Sequence, residues 1–69
     1  MKSIDEYIIE IKKTPNNSEL FRSRGYEYQR KGDYARAIKD YKESIRIDPS
    51  ENSTARFLLE EAIKASKNI

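Results

Sequence analysis

The sequence predicts an all-α chain of four helices, arranged as antiparallel helix–turn–helix units stacked side by side. Three observations predict it. Apolar residues recur at i, i+3, i+4 and i+7, and no segment alternates with period two for long. Breaking residues stand at Thr14-Pro15, Gly32-Asp33 and Asp48-Pro49, dividing the periodic stretches. Finally, one stretch recurs: IDEYIIEIKKTP overlays IKDYKESIRIDP, with Ile4 on Ile38, Tyr7 on Tyr41, Ile11 on Ile45 and Pro15 on Pro49. The offset is 34 residues, and a fixed period of that size points to stacked helix pairs.

The first helix, predicted over 3–13, carries Ile4, Tyr7, Ile8 and Ile11 on one face. Ser3 and Glu6 have the S-x-x-E spacing of a capping box. Thr14 ends the helix because a residue before proline avoids the helical region. PNNS is a loop, and Asn17 or Ser18 can cap a second helix over 18–31. Phe21, Gly25 and Tyr28 share one side of that helix. Gly32 then falls where a left-handed C-terminal cap is wanted, and Asp33 can cap a third helix over 33–47. Its buried face is predicted to be Ala37, Ile38, Tyr41, Ser44 and Ile45. SENS is a loop, and a fourth helix over 53–67 buries Ala55, Leu58, Leu59, Ala62 and Ile63.

Sixty-nine residues make one small domain with a thin core. With no Cys and no His, neither a disulfide nor a His/Cys metal site can staple it. Helix packing and association with another chain are the remaining stabilisers. The net charge of +2, with both signs interspersed, argues against a nucleic-acid surface at Arg22, Arg30, Lys31 and Arg36. The high charged fraction would suit a disordered chain, but the apolar residues are too periodic for that. No apolar run suits a signal peptide or a membrane span, and the lack of Cys fits a reducing compartment. The expectation is a cytoplasmic protein.

The spacing of Phe21, Gly25, Tyr28, Gly32-Asp33-Tyr34, Ala37, Tyr41 and Pro49 resembles the 34-residue tetratricopeptide repeat. Phe21 stands at the family's Trp position, Gly25 and Tyr28 match its Gly-x-x-Tyr, and Ala37 with Tyr41 matches its Ala-x-x-x-Phe. One full repeat would cover Ser18 to Glu51, flanked by the second half of a preceding repeat and the first helix of a following one or a capping helix. The resemblance implies a short right-handed superhelical solenoid. In physical terms, Gly25 and Ala37 let two helices approach closely, while Phe21, Tyr28 and Tyr41 fill the space between them. Tyr34 and Tyr41 are expected to keep their hydroxyls at a wet edge. Arg24 departs from the family's usual Leu, and Glu27 from a small residue. Both are expected on a face open to water, paired with each other at i, i+3.

Chemistry has few candidates here. There is no His, no Cys and no Gly-rich phosphate loop, and adjacent pairs such as Glu60-Glu61 point in different directions on a helix. No catalytic residue, metal or cofactor is expected. The resemblance instead implies a concave groove lined by the first helix of each pair, used to hold a peptide or protein partner. Arg22, Tyr26, Gln29 and Arg30 lie roughly opposite Phe21, Gly25 and Tyr28 on the helix wheel. With Phe57, an apolar residue off the stripe of its own helix, they form the expected partner-binding surface. Some chaperone-binding relatives grip a terminal carboxylate with Lys/Arg and Asn. Here Arg22 fits that clamp, but Tyr26 and Phe57 replace its Asn residues, which argues against heat-shock chaperone tails. The alternative is self-assembly through Ile8 and Ile9, whose internal copies are Lys42 and Glu43. One repeat and two halves fall below the three or so repeats such arrays need for stability.

Overall fold

The computed structural model describes residues 2–50 and 53–67, and among these it contains four helices and no strand. Helix α1 spans Ile4–Lys13, α2 Ser18–Arg30, α3 Tyr34–Ile47 and α4 Ser53–Lys67. The loop expected over 50–53 includes Glu51 and Asn52, which lie outside the described residues, as does the end of the expected repeat at Glu51.

Local chemistry sets the helix ends. Ser3 Oγ accepts from the Glu6 N–H at 3.2 Å, and Glu6 Oε1 accepts from the Ser3 N–H at 3.1 Å, completing the capping box. These bonds hold the Glu6 carboxyl below its ordinary value. Asn17 caps α2 by accepting from the Glu19 N–H at 3.0 Å. At the other end of α2, Lys31 is the C-cap and Gly32 turns left-handed at φ +85°. The Gly32 N–H donates to the Gln29 carbonyl and the Asp33 N–H to the Tyr28 carbonyl, both at 2.9 Å. This pair of bonds is a Schellman motif, and it closes α2 while aiming the chain back along it. Asp33 then caps α3 through the Arg36 N–H. Cap residues lie just outside the regular turns, so α1, α2 and α3 are each one residue shorter than the sequence spacing predicts.

The helices pack in chain order. The interface of α2 with α3 is largest, then α3 with α4, then α1 with α2, while α2 and α4 touch lightly. The core lies where α3 packs between α2 and α4. Fully buried there are Ala37, Tyr41, Ala55, Ala62 and Ser44, together with Gly25 and the almost fully buried Asp40. Tyr28, Tyr34, Ile38, Leu58 and Leu59 pack around this cluster. The Ser44 hydroxyl donates to the Ser18 carbonyl at 2.8 Å and ties α3 to the start of α2. No residue of α1 is buried, so α1 is the least anchored element.

Close approach of α2 and α3 depends on Gly25. A Cβ built there would lie 2.8 Å from Tyr41 Cε1 and 3.1 Å from Asp40 Cβ. Two expectations are corrected. The Tyr41 hydroxyl is not at a wet edge; Tyr41 is fully buried and donates to Gln29 Oε1 at 2.6 Å. Nor do Arg24 and Glu27 pair. Arg24 reaches across to α3 and holds Asp40 with two bonds, Nε to Oδ2 at 2.8 Å and an Nη to Oδ1 at 2.7 Å. Glu27 instead faces Arg30 at 3.5 Å. The physical reason is that a carboxylate 4 % exposed needs a counter-charge, and Arg24 is the cation the α2–α3 register brings within reach.

Candidate functional site

The polar residues singled out on α2 do not all lie away from its glycine contact: Gln29, one turn from Gly25, shares its face and meets Tyr41. Arg22 and Tyr26 are one turn apart and so share a face. Beside them Ser23 and Glu27 share the neighbouring row. These four meet Tyr7 of α1 and Leu58 of α4 around a crevice of about 190 Å³. Two consecutive helices and a third from the far end of the chain therefore build one concavity. Leu58 holds its α4 side in place because it packs on the Ala37–Tyr41–Ala62 cluster. Tyr7 sits where Lys2 approaches its ring at 6.0 Å, and Lys2 is pinned by Glu10 at 2.6 Å.

Charges frame the crevice without filling it. Arg22 lies 3.7 Å from Glu19, a loose contact that leaves its donors usable by a ligand. Glu27 and Arg30 form the other pair. Tyr26 in the crevice wall is 44 % exposed and Phe57 on α4 62 %, so both aromatic rings face water. Such a surface can hold a chain segment by charge-assisted hydrogen bonds and ring contact. Among the described residues no three acidic side chains gather as a metal set, and no helix is long and apolar enough to cross a membrane.

Of the five residues expected to bind a partner, the structure brings Arg22 and Tyr26 into one crevice. Phe57 is exposed on α4 but does not line it. Gln29 has its Oε1 occupied by Tyr41, and Arg30 is exposed beside Glu27. Tyr7, Ser23, Glu27 and Leu58 were missed as lining residues. The 34-residue offset sets Tyr7 on Tyr41 and Leu58 on Arg24, neither of which lines the crevice, so spacing carried no signal for them. On the proposed self-association edge, Ile9 is 54 % exposed, while Ile8 lies in a hollow with Ile4 and Tyr28.

Arg24, part-buried, and Tyr41, fully buried, tie α2 to α3. Hydrogen bonding to Asp40 raises the Arg24 guanidinium above its ordinary value, which fixes its charge. Burial pushes the Tyr41 phenol up to about 12, so it stays a donor to Gln29 throughout the neutral range.

A capped helix pair of this length, closed on a glycine and flanked by further helices, defines the class: an all-α helical-repeat protein. The family model for the tetratricopeptide repeat matches residues 18–51, the span from the start of α2 to just past Pro49. Residues 18–51 of the chain form a tetratricopeptide repeat. Repeats of this family generally mediate protein–protein interaction and are non-catalytic. No curated protein and no solved structure gives a significant match to the chain.

Proposed function

We propose that the chain is a non-catalytic interaction module that holds an extended peptide or protein segment against α2, centred on Arg22 and Tyr26. The observation that carries this reading is the crevice where α1, α2 and α4 meet around those two residues. Gln29, Arg30 and Phe57 extend the surface along α2 and onto α4. The exposed rings of Tyr26 and Phe57 support it, because the core does not use them. Arg22 would meet a carboxylate of the ligand, and Tyr26 would cover its neighbouring side chain. The reading sets the protein in the cytoplasm, where a chain without cysteine loses no cross-link.

The test compares capture of co-purifying proteins by the intact chain with capture by Arg22→Glu and Phe57→Ala. Loss of the same partner in both variants is expected. Unchanged capture by both would move the binding surface elsewhere.

A second reading is self-association through α1. It is favoured by the exposed Ile9 and by the absence of any buried residue in that helix. Sedimentation over a range of concentrations should then reveal a dimer or larger species, and Ile9→Glu should shift it toward monomer. A monomer at every concentration would remove this reading.

A further inference from the structure

A second and larger concavity lies on another side of α2, between α2 and α3, with a volume of about 620 Å³. Its floor is aromatic: Phe21 and Tyr28 line it, with the Arg24 guanidinium 5.5 Å from the first ring and 5.9 Å from the second. Arg36 also lies 5.9 Å from the Tyr28 ring. The α3 wall is basic. Arg36 and Arg46 are held by Asp33 and Glu43, but Lys39 and Lys42 are exposed and have no carboxylate partner among the described residues. The trough shares no lining residue with the Arg22–Tyr26 crevice.

From this we infer that the α2–α3 trough is a separate docking surface for an acidic segment of another protein, with an apolar or aromatic side chain seated between Phe21 and Tyr28. Charge complementarity selects the occupant. Five cations line the trough against two carboxylates, and the two lysines are the ones with no internal partner. Carboxylates spaced along a peptide can reach Lys39 and Lys42 while avoiding Asp40 and Glu43. A nucleic-acid backbone cannot do so, since its phosphates recur regularly and would run past those two acids. The Arg24–Asp40 pair keeps the floor in place, because both groups are spoken for before any ligand arrives.

The experiment uses the full chain and a fluorescein-labelled peptide of glutamates around a central phenylalanine. Two further probes are the same peptide with lysine for glutamate and a single-stranded oligothymidylate. Binding is read by anisotropy at low and at moderate salt. The acidic peptide should bind saturably and the lysine peptide should not. A Lys39→Glu/Lys42→Glu double variant should weaken the acidic peptide about tenfold, whereas the charge-matched Lys12→Glu/Lys64→Glu, at exposed lysines that line neither concavity, should change it less than about twofold. Lys39→Gln/Lys42→Gln should give a smaller loss of the same sign, and circular dichroism checks that the variants keep their helices. No saturable binding, or equal binding by the variants at Lys39 and Lys42, would overturn the inference. So would tighter binding of the oligothymidylate, and loss of binding in Arg22→Glu alone would assign the acidic segment to the crevice instead.

Discussion

Replacing Gly25 by alanine tests whether α2 and α3 are as close as the packing requires. Two effects oppose each other. Alanine in a helix interior is favoured over glycine by about 1 kcal/mol. The added methyl, however, would meet Tyr41 Cε1 at 2.8 Å, Tyr41 Cδ1 at 3.0 Å and Asp40 Cβ at 3.1 Å. None of these can step aside cheaply. The Tyr41 ring is fully buried with its hydroxyl held by Gln29, and the Asp40 side chain is clamped by Arg24. The helices must separate by a few tenths of an ångström, and overpacking of this kind costs about 1–3 kcal/mol or more. With a contact this short near the upper end of that range, the net expectation is a loss of about 1–2 kcal/mol, or a fall in Tm of about 7–14 °C for a domain of this size. Urea and thermal unfolding followed at 222 nm would measure it. Gly32→Ala is the internal control. Nothing lies within 4 Å of the added atom there, but φ is +85°, so the cost should be about 1 kcal/mol from backbone conformation alone. A Gly25→Ala protein as stable as the parent, or more stable, would refute the close-packing argument.

Further outcomes follow from the buried polar groups. Arg24→Leu should cost about 2–3 kcal/mol because it strands the Asp40 carboxylate, and Arg24→Leu/Asp40→Ala should recover most of that loss. Additive effects in urea unfolding would mean the two residues do not act as a pair. For Tyr41, the folded value of about 12 stands above the ordinary 10.0, so the unfolded chain loses this proton first as pH rises. Stability from this group is therefore complete below pH 10 and lost between about pH 10 and 12, by at most about 1.4 kcal/mol per pH unit. Tyr41→Phe should flatten that part of the pH profile relative to the parent, and an unchanged slope would contradict the burial of the hydroxyl.

The features legible in the sequence are those fixed by neighbours within four residues or by the 34-residue offset. Ser3 with Glu6, Asn17, Gly32 and Asp33 set the helix ends through bonds to nearby backbone, so their roles could be read from spacing. Gly25 was legible as a point of close approach because a glycine inside a helix has few other uses, but that it meets Tyr41 and Asp40 was not. The Arg24–Asp40 and Tyr41–Gln29 bonds were not. Each joins α2 to α3, and which side chains meet depends on the register and depth of two packed helices. A helix wheel gives direction but not what stands opposite, so nothing in the spacing singled out Asp40. The crevice was half legible for the same reason. Arg22 and Tyr26 follow from one helix face, while Tyr7 and Leu58 join them only once three helices are placed.

The proposed function holds a partner where α1, α2 and α4 converge. The most direct measurement is amide chemical-shift mapping of the full chain, titrated with whatever protein co-purifies with it. The largest shifts should fall on Arg22, Ser23 and Tyr26, with smaller ones at Tyr7 and Leu58. Shifts confined to the far ends of α3 and α4, or none at saturating partner, would contradict it.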